Sequence, residues 1–315
     1  MEQRLRFDAY VDRCLYDPEQ GFYASGRGVA GRRGDFITSP EVGPLFGAVL
    51  ARALDAWWRE LGCPDPYVVI DAGSGPGTLQ RSLELAAPAC AAAWQLRSID
   101  IADRNRNGAS GADQLGSLEG SVVIANELLD NLPFRVLERT DSGWSEVYVV
   151  AMAEELVDTE APAWAEALSV EPGQRIPVHD RAVRWVESVL DGGAARLVVF
   201  DYGEPATETL ARRGGWLRTY RAHERGDDPY REPGSWDITT DVGFDQLPAP
   251  DGLVRQAEFL SRWGIDVLVE QGREYWTAHA ARPDVAAFRM RSRLNEAAAL
   301  LDPRALGNWL VAEWS

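Results

Sequence analysis

The chain has 315 residues, enough for two average domains or for one α/β domain with sizeable additions. Hydrophobic residues make up 45% and charged residues 26%, an ordinary balance for a globular protein, and no stretch approaches the ~20 consecutive apolar residues of a membrane helix. Forty-nine acids against 32 bases give a net charge of −17, which argues against a nucleic-acid partner and favours a basic or neutral one.

Every base is arginine. Schiff-base catalysis and a Walker-type phosphate loop, which both need lysine, are thereby excluded. Cys14, Cys63 and Cys90 lie far apart, as do His179, His223 and His279, so free thiols are expected and no metal-ligand spacing is present. The opening residues, MEQRLRFDAY, lack the apolar region of a secretory leader, and a soluble cytoplasmic protein is expected.

In chain order, residues 1–62 predict a helical N-terminal cap carrying one glycine-rich loop, GRGVAGRRGDFITSPEVG. Apolar residues at 3–4 spacing from Val42 to Leu61 predict an amphipathic helix, opened by Ser39-Pro40-Glu41. Residues 63–315 then read as a Rossmann-like α/β domain. Its strands are the β-branched runs at 67–70, up to 99–101, at 121–125 and at 196–200, with a helix over 79–93 between the first two. An acid follows three of these strands, at Asp71, Asp100 and Asp201, and Asn126-Glu127 follows the other. Ligands of such sheets sit at the carboxyl ends of the strands. Segments near 135–190 and 204–260 fit the alternation poorly and read as inserted loop and helical segments: a hairpin over 137–150, a short helix over 161–168 and a long loop over 214–245. Helices are expected over 253–263 and 285–301, and a closing strand over 309–312.

The sharpest local pattern is Val69-Ile70-Asp71-Ala72-Gly73-Ser74-Gly75-Pro76-Gly77, a strand running into an acid and then Gly-x-Gly-x-Gly. Gly73 permits the turn off the strand, while Gly75 and Gly77 let a ligand approach the backbone. Asp71 suits a ligand ammonium group, whereas it would repel a pyrophosphate. The pattern therefore favours S-adenosylmethionine over a dinucleotide. Asp100 is the expected partner of the ribose diol, with Asp103 its rival. Asn126 is placed on the cofactor side. Thr38 and Ser39 suit a lid over the cofactor, or only a turn and a helix cap.

Two further blocks flank this motif, Gly34-Asp35-Phe36-Ile37-Thr38-Ser39-Pro40-Glu41 and Ala125-Asn126-Glu127-Leu128-Leu129-Asp130-Asn131-Leu132-Pro133. With Asp201-Tyr202-Gly203, Leu217 to His223 and Asp237 to Phe244, the chain resembles the MidA-like S-adenosylmethionine-dependent methyltransferases over about 15–312. Asp71 stands where that family usually has Glu, and Arg104 to Gly116 matches poorly. The resemblance implies methyl transfer, and relatives in its mitochondrial branch methylate protein arginine. Glu127 and Asp130 would then grip the acceptor guanidinium, on one face if their segment is helical; otherwise Asn126 and Glu127 cap that helix and Asp130 is solvated. The alternatives are a methyltransferase acting on a small molecule and a cofactor-binding assembly factor with little turnover.

Overall fold

The computed structural model describes residues 4–23, 38–100, 116–221 and 224–315. Its centre is a six-stranded sheet. In chain order the strands are β1 (Tyr67–Ala72), β2 (Trp94–Ile99), β3 (Val122–Asn126), β4 (Arg196–Asp201), β5 (Gly252–Arg255) and β6 (Leu310–Trp314). Across the sheet they run β5-β6-β4-β3-β1-β2. The pairs β1–β2, β1–β3 and β3–β4 are parallel, while β6 is antiparallel to both β4 and β5. The α/β, Rossmann-like expectation holds.

Both faces of the sheet are covered, which is why its strands read as continuous apolar runs. Val69, Val122, Ile124, Val198, Phe200 and Val311 face one layer, built from the helices Pro44–Glu60, Thr78–Ala86 and Val285–Leu300. The alternate residues Ile70, Val123, Ala125, Leu197, Val199 and Ala312 face the other, where Ala182, Val186 and Val189 of the helix Asp180–Asp191 pack. Because side chains alternate with period two, one strand supplies both cores. Between β1 and β3 the chain reverses its direction of winding. β2 lies to one side of β1 and everything later to the other, which opens a crevice at the strands' carboxyl ends.

Several elements differ from expectation. Residues 214–245 are not a long loop: Leu217–Arg221, Glu224–Gly226 and Asp237–Thr240 form a three-stranded antiparallel sheet. Leu217–Arg221 pairs locally with Glu224–Gly226, but its pairing with Asp237–Thr240 spans distant residues, Thr219 opposite Ile238, and no short-range turn signal announces it. The segment expected as one helix over 253–263 begins as β5, drawn into the sheet by pairing with β6, and becomes helical only over Gln256–Arg262. The helix expected over 79–93 closes at Ala86, and Ala89–Ala92 forms a separate 3-10 turn. Helix Ile265–His279 has no counterpart among the expected elements, since it buries only Ile265, Leu268 and Gly272 and lacks a strong apolar stripe. The hairpin near 137–150 is present as Arg135–Thr140 and Gly143–Val150, within a second antiparallel sheet. Among the described residues no helix is long and apolar enough to cross a membrane. Gly34 to Ile37, Asp103, Arg104 to Leu115 and Ala222-His223 lie outside the described residues.

Candidate functional site

At the end of β1 the chain turns through Gly73, Gly75 and Gly77, at φ +75°, +49° and +72°. Side chains other than glycine resist this left-handed region. The Gly73 and Ser74 amides donate to the Ile99 carbonyl at 2.7 and 3.2 Å, tying the turn to the end of β2. Gly75 donates its amide to Asp100 Oδ2 at 2.7 Å. A Cβ at Gly75 would meet nothing within 4 Å, so this stretch of backbone faces open space.

Asp71 is 3% exposed and its Oδ2 has no hydrogen-bond partner. Burial, reinforced by the charge of Asp100, pushes its carboxyl up to about 7. The β1–β3 register pairs Ala72 with Ala125, which sets Asn126 beside the glycine turn. Asn126 Oδ1 is likewise buried and unpartnered. Buried polar atoms rarely stay unpaired. Two orphaned oxygens beside an open glycine turn, with a further carboxylate at Asp100, fit a ligand carrying an ammonium group and a diol.

Glu127 follows at φ +53°, with its amide donating to the Phe200 carbonyl at 2.8 Å. Its carboxylate accepts from Asn126 Nδ2 at 3.0 Å and from the Ser39 amide. The left-handed backbone ends β3 abruptly, and only a 3-10 turn, Leu129–Asn131, follows. Glu127 and Asp130 are therefore not on one face of a helix, yet both line the same cavity. The turn is capped from across the sheet: Asp201 Oδ2 accepts the amides of Leu129 and Asp130 at 2.9 and 3.3 Å, and its Oδ1 accepts that of Tyr202 at 3.0 Å. Neither Asn126 nor Glu127 caps it, and Asp130 is buried rather than solvated.

The cavity measures about 210 Å³. Its acids are Glu127, Asp130 and Asp237, its aromatic walls are Tyr202, Tyr220 and Trp309, and Arg218 is the one base among the described residues that line it. Asp130 Oδ2 accepts from the Tyr202 hydroxyl and, at 2.9 Å, from Thr239 Oγ1, while its Oδ1 is buried without a partner. Asp237 Oδ1 accepts from Asn131 Nδ2 at 3.0 Å and from the Tyr23 hydroxyl at 3.1 Å. Burial together with neighbouring carboxylates pushes Glu127 and Asp201 well above the usual carboxylate range, and burial also raises Asp130. Packed acids of this kind favour a cation as their ligand.

Asp71, the glycine turn, Asn126, Glu127 and Asp130 thus converge at the carboxyl ends of β1, β3 and β4. The Ser39 hydroxyl points elsewhere, donating to Gln256 Oε1 at 2.9 Å, and Thr38 precedes a short helix without a side-chain capping bond. Tyr202, Arg218, Asp237, Thr239 and Trp309 join the site without having been picked from the sequence. The acid ending β4 and the blocks Asp201-Tyr202-Gly203, Leu217 to His223 and Asp237 to Phe244 were the signals pointing toward all of these but Trp309.

Residues 49–252 match the S-adenosyl-L-methionine-dependent methyltransferase family. The mitochondrial protein arginine methyltransferase NDUFAF7 homolog of Drosophila melanogaster is 26% identical over 287 residues, covering 75% of this chain and 64% of that protein. Human mitochondrial NDUFAF7 is 26% identical over 321 residues, covering 82% of this chain and 69% of its own length. The chain thus spans about two thirds of the curated relatives it matches. A Burkholderia thailandensis protein solved with S-adenosyl-homocysteine superposes with a TM-score of 0.77 at 26% identity, over 99% of this chain and 88% of that one. The expectation of a cytoplasmic protein is overturned, because these curated relatives are named as mitochondrial.

Proposed function

Because the chain belongs to the S-adenosyl-L-methionine-dependent methyltransferase family, we propose that it methylates an arginine side chain of a protein acceptor. The observation carrying the arginine reading is the cavity, where three carboxylates and three aromatic walls meet beside the strand ends. A planar guanidinium matches both, by paired hydrogen bonds to carboxylate and by stacking on aromatic faces. The net charge of −17 favours approach of a basic peptide. The names of the curated relatives support the same acceptor.

S-adenosyl-L-methionine, when bound, supplies a methyl group already activated on a sulfonium. What remains for the chain is to bind, orient and deprotonate. Asp71 would take the cofactor's ammonium group, the Gly73–Gly77 backbone would line its amino-acid portion, and Asp100 would accept from the ribose diol. Asn126 would offer its orphaned Oδ1 to the same ligand. Thr38 and Ser39 would border it from the segment held against Glu127. Glu127 and Asp130 would grip the guanidinium, localise its charge away from the attacking nitrogen and take that nitrogen's proton.

The test is to incubate the purified protein with tritiated cofactor and a cell lysate, then hydrolyse the labelled protein. Methylarginine should carry the label. Label confined to small metabolites would overturn the acceptor and leave methyl transfer standing.

A further inference from the structure

Arg218 is the one base among the described residues that line the acidic cavity proposed to take the guanidinium. It comes from the antiparallel strand Leu217–Arg221, and its guanidinium carbon lies 4.7 Å from the centroid of the Tyr202 ring. It is ion-paired with the buried Asp241, which also pairs with Arg213. Its Nε is buried with no partner. A positive charge in this position repels a cationic acceptor, so its burial calls for a reason other than substrate binding.

That reason lies in Asp130. From its own segment Asp130 faces Glu127. The end of β4 brings Asp201 and Tyr202 against it, the antiparallel sheet brings Arg218, Thr239 and, on the same cavity, Asp237, and the N-terminal segment brings Tyr23. Among these neighbours Arg218 is the one described base. The hydrogen bonds from Tyr202 and Thr239 and, after them, the Arg218 charge act against the burial that raises the Asp130 carboxyl, and a protonated acid cannot take a proton.

We propose that Arg218 is a positioning residue for methyl transfer, stacked on Tyr202 and braced by Asp241 so that its charge, beside the Tyr202 hydroxyl that donates to Asp130, prepares Asp130 to receive the acceptor's proton. The inference rests on the arginine reading for the identity of the acceptor. In the step it serves, the acceptor nitrogen forms its bond to the methyl carbon as the carbon–sulfur bond breaks. The electron pair of that bond stays on sulfur, and the nitrogen's proton passes to Asp130. Arg218 acts through charge alone and takes no proton.

Two variants of the full chain push Asp130 in opposite directions. Arg218→Gln removes the stabilising charge and should raise the Asp130 titration by about one pH unit or more, a tenfold change in proton affinity. Asp241→Asn leaves the Arg218 charge uncompensated and should lower it. Arg218→Lys keeps the charge and should restore most of the wild-type titration. Asp130 is followed by carboxyl carbon-13 resonances, identified by their loss in Asp130→Asn, and the acid limb of turnover on an arginine-containing peptide should move in parallel. An Asp130 titration unmoved in both folded variants, or displaced the same way by both, overturns the proposal. Should Arg218→Gln not fold, the direction seen in Asp241→Asn decides. If Asp130 moves as expected but no guanidine compound is methylated, the arginine reading falls while the electrostatic role of Arg218 stands.

Discussion

Replacing Asp71 by asparagine separates its cost to the fold from its service to the cofactor. The side chain is 3% exposed, and its carboxyl is raised from 3.8 to about 7, chiefly by burial. Between those values the folded protein holds a proton that the unfolded chain has released, so this group makes stability fall as pH rises, fully so above about 7. A shift of about three units corresponds to roughly 4 kcal/mol at pH 8, an upper bound because the site relaxes and admits water. Asp71→Asn keeps the shape and loses the titration. In denaturant unfolding without ligand, the variant should match the wild type near pH 4 and exceed it by up to ~4 kcal/mol at pH 8. Calorimetry at pH 8 should show the reverse for S-adenosyl-homocysteine: loss of a charge-assisted bond worth about 1.5–3 kcal/mol weakens binding about 10- to 150-fold. A variant less stable than wild type at pH 8 would refute the burial cost, and one that binds the ligand unchanged would refute the cofactor contact.

Gly75→Val should abolish cofactor binding, because it places a branched side chain at φ +49° on backbone that faces open space; the unfolding free energy should drop only by the backbone strain, about 1–2 kcal/mol. Asp100→Ala should cost about 1.5–3 kcal/mol in cofactor affinity by calorimetry, and the same loss in Asp103→Ala instead would move the ribose contact to that neighbour. Glu127→Gln should cut turnover ~100-fold with cofactor affinity unchanged. Its unfolding free energy should hold or rise at pH 8, since Glu127 is raised by burial and the wild type loses stability as that carboxyl ionises; a fall in both activity and stability would make Glu127 structural.

The parallel strands and the glycine turn were legible because they are written locally. A β-branched run buried on both faces, an acid at its end and glycines at positive φ are each set by neighbours within a few residues, from Val68 to Gly77. Glu127 and Asp130 were legible as residue types, but their relation was not. The expected helical face gave way to a left-handed residue and a 3-10 turn, because Asp201, 71 and 72 positions away in sequence, supplies the acceptor that fixes the amides there.

The rest of the site is tertiary. Tyr202, Arg218, Asp237 and Trp309 come from four separate segments, and what each does depends on the others. Strand Leu217–Arg221 exists because it pairs with Asp237–Thr240, and that pairing is what sets Arg218 over Tyr202 and Thr239 beside Asp130. By itself the sequence determined the parallel strands, the turn and the excess of negative charge, since backbone preference and side-chain period act over a few residues. Which carboxylates share one cavity, and that Arg218 stands among them, was decided only when distant strands paired, since charge interacts through space and not along the chain.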